Sequence, residues 1–152
     1  MRAAPVALLA AVAAAAAPAT APAAAPTQAG APWPTMRHDT RNTGRSPVAG
    51  RWQGDRPWSF ATGRGIFSTA VIGADDTVYI GSADHVFYAL DGRGHVRWRL
   101  RTGGIIDAAG AISRFDRRLG TAPLTFGSGD ERLYQVRTDR GALSRSRRIL
   151  WT

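Results

Sequence analysis

Residues 81–98, GSADHVFYALDGRGHVRW, contain side chains of the types that carry proton transfer and metal binding. Two aspartates (Asp84 and Asp91) and two histidines (His85 and His95) lie within this one short segment. Carboxylates and imidazoles are the commonest general acids and bases, and they also bind metals. The segment is therefore either a reactive polar cluster or one unit of a repeated scaffold.

The other candidates for chemistry favour structural roles. The three histidines, His38, His85 and His95, lack the spacing and the local carboxylate support of a metal site, so we predict loop histidines. Asp75-Asp76 could form a carboxylate pair for acid–base work or a set of calcium ligands. Its place between AVIG and TVYI favours a hairpin tip. We assign no catalytic residue and no metal ligand from the sequence.

The charge of the chain is strongly positive. All 20 basic residues are arginine, and the formal net charge is +9. Such a charge would allow binding to nucleic acid or to an anionic surface. However, the arginines are scattered, and the two densest groups (114–118 and 145–148) are predicted to lie in solvated loops. We expect no nucleic-acid partner. The chain has no cysteine, which excludes disulfides, thiolate metal sites and a lipid-attachment cysteine.

The first thirty residues have the pattern of a secretory signal peptide. Arg2 precedes the apolar run PVALLAAVAAAAA, and small-residue sites such as Ala17-Pro18-Ala19 follow it. We predict that residues 1–29 form a signal peptide and an Ala/Pro-rich linker, cleaved somewhere within about 17–29. The run is too short and too interrupted by proline for a membrane anchor, so no integral membrane span is expected. The protein is predicted to be exported by a bacterium, to the extracellular space, the periplasm or the cell envelope.

Beyond residue 32 the chain consists of short apolar runs separated by glycine and aspartate turns. The runs TVYIGS (77–82), VFYALD (86–91) and VRWRLR (96–101) have the length and the β-branched and aromatic content of strands. The segments between them, ADH and DGRG, have turn chemistry. This spacing predicts an antiparallel all-β structure.

An internal repeat is the strongest signal in the sequence. When Trp58 is aligned with Trp98, WSFATG lies over WRLRTG, and GSADHVFY (81–88) matches GSGDERLY (127–134). The second repeat ends at Trp151. It is longer than the first, with extra residues around RFDRRLGTAPL and ALSRSRRI, where loops tolerate insertions. A repeat of about 40 residues with four short strands has the size of a β-propeller blade.

The residues that recur with the repeat are predicted to have structural roles. Tryptophans once per blade are expected to dock neighbouring blades together, and a recurring aspartate is expected to cap a turn. A catalytic residue has no reason to appear once per repeat, and His85 and His95 become Glu131 and Ala142 in the second copy. The structural repeat positions are Trp58, Trp98, Trp151, Gly81, Asp84, Tyr88, Gly127, Asp130 and Tyr134.

The repeat resembles the quinoprotein-like (PQQ-like) β-propeller family. Tyr88-Ala89-Leu90-Asp91 matches the end of a strand in that family's blade, Gly94 its turn, and Trp98 the tryptophan four residues later. The second copy departs from the pattern, with Thr138 in place of the aspartate. WPTMRHDTRNTGRSP (33–47) looks like the segment that opens many secreted members. The resemblance covers residues 33–152 and implies a partial propeller of about two four-stranded antiparallel blades.

The resemblance implies two alternative functions. Some members are quinone-dependent alcohol or sugar dehydrogenases that use PQQ with calcium. Others, similar to the propeller lipoprotein of the outer-membrane assembly machinery, are scaffolds without a cofactor. The turn from Asp91 to Gly94 is shorter than the dehydrogenase turn and lacks its threonine, and the vicinal cysteines of quinone alcohol dehydrogenases are absent. These departures favour a non-enzymatic scaffold that binds a protein or small ligand through its loops. The alternative is the N-terminal part of a secreted PQQ-dependent dehydrogenase.

The predicted domain organisation follows from the repeat. Residues 1–29 are the signal and linker, residues 33–57 an N-terminal segment, and residues 58–152 the propeller repeats, with blades at about 58–97 and 98–150. A closed propeller has about four to eight blades. We therefore expect the two blades to join the remaining blades of a longer propeller or, alternatively, to close a ring by self-association.

Overall fold

The computed structural model describes residues 27–49 and 57–139, together with the backbone of a strand at 143–148. Residues 1–26 of the predicted signal peptide and linker lie outside the described residues, as does Trp151. Eight strands are described: β1 Val71–Ile72, β2 Val78–Gly81, β3 Val86–Leu90, β4 Val96–Arg101, β5 Ala111–Ile112, β6 Pro123–Ser128, β7 Arg132–Arg137 and β8 Leu143–Arg148. Within the described residues there is no helix long and apolar enough to cross a membrane.

The strands form two antiparallel sheets of four strands each. The first sheet has the order β1-β2-β3-β4 and the second the order β5-β6-β7-β8, so within each sheet the strands that follow one another in the chain are paired. A four-stranded antiparallel meander of this kind is the blade of a β-propeller. The prediction of an all-β fold with two four-stranded antiparallel blades of a partial propeller is confirmed.

Each sequence repeat corresponds to one sheet, but the boundaries of the repeats do not coincide with the boundaries of the sheets. β4 has the bounds predicted for VRWRLR, and Trp98 lies inside that strand, opposite Ala89 of β3. The repeat boundary drawn at Trp98 therefore falls within the last strand of the first sheet. Ile80 pairs with Tyr88 in the first sheet as Phe126 pairs with Tyr134 in the second, so the register repeats as well.

The two sheets pack against each other through a shared apolar core. Phe87 of the first sheet and Phe126 of the second stack with their ring centroids 4.0 Å apart and their planes within 9°. Tyr79 lies in the same buried cluster, as do Leu124 and Val136. Because residues paired across antiparallel strands share a face, this cluster combines one face from each sheet.

The first sheet is also buried on its other face. Ile80, Val86, Tyr88 and Leu90 form a second buried cluster, against which Phe60 packs from the segment before β1. All the residues of β3 are therefore buried, as is typical of a strand covered on both sides.

Residues 27–34 cover the first strand of each sheet. Trp33 forms a β-bridge with Ile72 at the end of β1, and Thr27 forms one with Ser113 just beyond β5. The backbone N–H of Ile112 also donates to the carbonyl oxygen of Pro34 at 2.8 Å. These bonds pair edge groups that would otherwise be open to another chain.

Candidate functional site

The Asp84 side chain joins the first sheet to the segment that precedes it. Its Oδ2 accepts hydrogen bonds from the backbone N–H of Gly63 and from the hydroxyl of Tyr88, both at 2.7 Å. Its Oδ1 accepts from the backbone N–H of Val86 at 3.0 Å. One carboxylate therefore ties the segment before β1 to the β2–β3 turn and to β3. We call Gly63, Asp84 and Tyr88 the first junction.

The second sheet contains the same arrangement, which we call the second junction. Oδ2 of Asp130 accepts from the backbone N–H of Gly103 at 2.9 Å and from the hydroxyl of Tyr134 at 2.6 Å. Its Oδ1 accepts from the backbone N–H of Arg132 at 3.2 Å. Gly103 follows β4 of the first sheet, so the second junction links one sheet to the next.

Within each junction, the protonation states of the aspartate and the tyrosine are complementary. Burial is the largest single influence on Asp84 and raises its pKa, but the hydrogen bonds from Tyr88, Gly63 and Val86 outweigh burial and hold the pKa below its ordinary value. Burial and the bond to the neighbouring carboxylate raise the pKa of Tyr88. Asp130 and Tyr134 are shifted in the same directions. At neutral pH each pair is thus held as an ionised acceptor and a neutral donor.

Two tryptophans bind the turn between the last two strands of the sheet that follows them. The indole Nε1–H of Trp58 donates to the carbonyl oxygen of Gly92, and that of Trp98 to the carbonyl oxygen of Thr138, both at 2.9 Å. Trp98 also stacks on Phe87 in the core. Trp58 thus joins the segment before β1 to the first sheet, and Trp98 joins the first sheet to the second.

The two aspartates and two histidines of residues 81–98 are not brought together. Asp84 and His85 lie in the turn before β3, whereas Asp91 and His95 lie in the turn after it. A strand of this length separates the two turns by roughly 16 Å. They form two separate turns and cannot act on one substrate atom.

Each of the two histidines has a local role in its turn. His85 has a φ of 69°, and Glu131 occupies the same left-handed position in the second sheet with a φ of 63°. The backbone N–H of His95 donates to Oδ1 of Asp91 at 2.9 Å, and its ring Nδ1 lies 3.2 Å from Oδ2. The contacts between Asp91 and His95 close the β3–β4 turn.

The carboxylate pair at Asp75-Asp76 forms the tip of the β1–β2 hairpin. Oδ2 of Asp75 accepts from the hydroxyl of Thr77 at 2.7 Å and pairs with the guanidinium of Arg97. Among the described residues no three His, Asp or Glu side chains come together as metal ligands.

A cleft beside the second sheet was not predicted from the sequence. It has a volume of about 950 Å³ and lies between the N-terminal segment and the link from β5 to β6. Met36 and Asp39 line one wall, and Arg114, Phe115 and Arg117 line the other. The signal that could have revealed it was the insertion RFDRRLGTAPL, which the repeat comparison located but treated as a solvated loop.

Comparisons with known proteins found a similarity in structure and none in sequence. No family model matches the chain, and no curated protein matches it. Among solved structures it is similar to BamB from Moraxella catarrhalis, with 17% sequence identity and a TM-score of 0.49. The match covers 59% of this chain and 26% of that one, so the chain spans about a quarter of the length of the BamB structure.

Proposed function

We propose that this chain is a non-enzymatic β-propeller scaffold of the PQQ-like repeat type, which binds a protein or small ligand through its loops. The observation that supports this proposal is the use of the recurring carboxylates. Asp84 and Asp130 each accept hydrogen bonds from two backbone N–H groups and a tyrosine hydroxyl. A general acid or base must present its oxygen to a substrate, whereas these oxygens hold each sheet to the segment that precedes it.

The proposal includes a partner for the outer face of the second sheet. Phe87 is 1% exposed in the core, whereas Leu133, at the equivalent position of the second sheet, is 43% exposed. The remaining blades of the same propeller, or a second copy of the chain, would bury this face. Residues 58–152 would form the repeat region and residues 33–57 the N-terminal segment. We propose neither a nucleic-acid partner nor a membrane span.

An activity assay tests the non-enzymatic part of the proposal. The purified chain is incubated with PQQ, Ca²⁺, an artificial dye acceptor and either ethanol or glucose. We expect dye reduction at the rate of the protein-free mixture. Reduction that depends on the protein, on PQQ and on Ca²⁺ together would contradict the scaffold and support the dehydrogenase alternative.

A reporter fusion tests export, which we propose on the basis of the N-terminal sequence. Residues 1–49 are fused to an alkaline phosphatase that is active only outside the cytoplasm. We expect phosphatase activity from this fusion and its loss in the L8R/L9R variant, since two charges interrupt the apolar run that a signal peptide requires. Equal activity from both fusions, or none from either, would contradict the proposed signal.

A further inference from the structure

We propose that the cleft beside the second sheet binds a small amphipathic carboxylate, with its apolar body against Met36 and Phe115 and its carboxylate on the arginines of the β5–β6 link. This inference rests on the proposed function, because it names the ligand class of one loop surface on the scaffold. The cleft volume of about 950 Å³ lies within the range of about 300–1,000 Å³ typical of small-molecule sites.

The walls of the cleft offer an apolar surface. Met36 is 51% exposed and Phe115 is 63% exposed, although both are large hydrophobic side chains. Ile112 and Pro123 also line the cleft, and both are buried. Exposed apolar side chains that converge on one concavity are typical of a ligand site, whereas scattered ones need no explanation.

The charge of the cleft favours an anion. Arg114, Arg117 and Arg118 line it, together with the carboxylates of Asp39 and Asp116. None of the ion pairs found among the described residues joins these carboxylates to these guanidinium groups. A guanidinium group matches the planar geometry of a carboxylate and binds it through two parallel hydrogen bonds.

The carboxylates of the cleft are already used by their own loops. Oδ1 of Asp39 accepts from the backbone N–H groups of Arg41 and Thr43, and its Oδ2 accepts from the Thr43 hydroxyl at 2.7 Å. The Thr43 bonds are the main cause that lowers the pKa of Asp39 to about 2. Oδ1 of Asp116 accepts from the backbone N–H of Arg118 at 2.8 Å. Three guanidinium groups thus face two carboxylates, of which Asp39 uses both oxygens and Asp116 uses one in hydrogen bonds within its own loop.

The loop that carries Met36 is held in an unusual conformation. Arg37, His38 and Asn42 have φ angles of 56°, 76° and 56°, in the left-handed region that side chains other than glycine rarely adopt. The Asp39 hydrogen bonds and an edge-to-face contact between the rings of Trp33 and His38, with centroids 5.5 Å apart, hold this conformation. Strained backbone of this kind concentrates where a structure fixes a binding surface in advance.

The equivalent link in the first sheet has none of these side chains. Five residues, GADDT, separate the paired residues Ile72 and Val78, whereas eleven separate Ile112 and Leu124. The extra residues bring Phe115 and the three arginines. The cleft is therefore a feature that the second unit has added to the shared blade.

Calorimetric titration of the full chain with three probes tests the proposal. Decanoate carries both the apolar body and the head group, decan-1-ol lacks the charge, and acetate lacks the body. We expect decanoate to bind about tenfold or more tightly than decan-1-ol, from charge-assisted contacts, and acetate to bind more weakly than either. Equal affinity for decanoate and decan-1-ol would overturn the proposal.

Variants locate the site and separate it from general charge. We expect R114Q/R117Q/R118Q to lower the decanoate affinity about tenfold while leaving that of decan-1-ol unchanged, and F115S to weaken both ligands. These side chains are exposed, so the variants should fold as the wild type does. The matched control, R64Q/R93Q/R99Q, removes the same charge from exposed positions outside the cleft and should bind decanoate as the wild type does.

Two results from the variants would contradict the proposed site. An equal loss of decanoate affinity in the control and in the cleft variant would attribute binding to the net charge of the protein. Unchanged affinity in the cleft variant would place the ligand elsewhere. Neither result bears on the scaffold itself, since that proposal fails only through PQQ-dependent dye reduction in the separate assay.

Discussion

The two sheets share one strand order and one register but differ in how deeply their strands are buried. β3 is buried along its whole length, whereas β7 alternates, with Tyr134 and Val136 buried and their neighbours partly or fully exposed. The sequences already differ in this way, since VFYAL is continuously apolar and RLYQVR alternates. A continuous run suits a strand covered on both faces and an alternating one suits a strand covered on one. Among the described residues, the first sheet is thus covered on both faces and the second sheet on one.

The same comparison separates what the repeat retains from what it varies. Both sheets keep the bonds between aspartate, tyrosine and the preceding glycine, and both keep a tryptophan that binds a turn carbonyl. The link between the first two strands varies, as does the turn residue whose carbonyl accepts the indole bond, which is Gly92 in one sheet and Thr138 in the other. The retained residues join the first sheet to the segment before it and the second sheet to the first. The varied link forms a cleft.

The largest expected effect tests the difference in burial at equivalent positions. F87A removes a ring that stacks on Phe126 in the shared core, and we expect it to lower the free energy of unfolding by about 3–5 kcal/mol. L133A truncates an exposed side chain and should cost less than about 1 kcal/mol. Urea unfolding measures both. Equal costs would mean that the outer face of the second sheet is buried in solution.

The next prediction tests whether the two junctions are equivalent. D84N and D130N each replace a charged acceptor of three hydrogen bonds by an amide, and we expect each to cost about 1–3 kcal/mol of unfolding free energy. The two costs should agree because the bonding partners are of the same kind. D91N, in an exposed turn of the first sheet, serves as the control with a smaller cost. A large effect at only one junction would refute their equivalence.

The pH dependence of these variants sharpens the same comparison. The folded-state pKa values of Asp84 and Asp130 lie below the ordinary value of 3.8. Each carboxylate therefore contributes stability that is fully present above about pH 4 and is lost as the pH falls through the lowered folded-state value. Urea unfolding from about pH 6 to about pH 2 should show the advantage of the wild type over D84N and D130N shrinking in parallel. An advantage that persists at the acid end would contradict this account.

The sequence predicted β2, β3, β4 and the recurring positions because these depend on local pattern and on self-similarity. The prediction of a solvated loop at 145–148 was wrong, since these residues belong to β8 and pair with β7. The sequence did not predict that Asp84 and Asp130 bind the N–H groups of Gly63 and Gly103, since these partners belong to segments without strand periodicity. The cleft was missed for a related reason. Its walls, around Met36 and Phe115, are far apart in the chain, and only the packing of the N-terminal segment along β5 brings them together.

A smaller loss of unfolding free energy is expected when the tryptophans are replaced, and its size should differ between the Trp58 contact and the Trp98 contact. W58F and W98F each remove one indole N–H bond to a turn carbonyl, worth about 0.5–1.5 kcal/mol. W98F should cost more, because Trp98 is half-buried against Tyr79 and Phe87, whereas Trp58 is 42% exposed. Thermal or urea unfolding measures the order. The reverse order would place the more buried contact at the start of the first sheet.

The smallest effect on stability is expected where the two sheets differ most in sequence. Deleting residues 114–119 shortens the β5–β6 link to the length of the β1–β2 link, which lowers the loop-closure cost by roughly 0.6 kcal/mol. The deletion also removes the carbonyl of Leu119 that accepts from Arg137, a loss of about 0.5–1.5 kcal/mol that offsets this gain. The free energy of unfolding should therefore change by less than about 1 kcal/mol, while decanoate binding is abolished. A deletion that unfolded the second sheet would instead make this link part of the blade and not an addition to it.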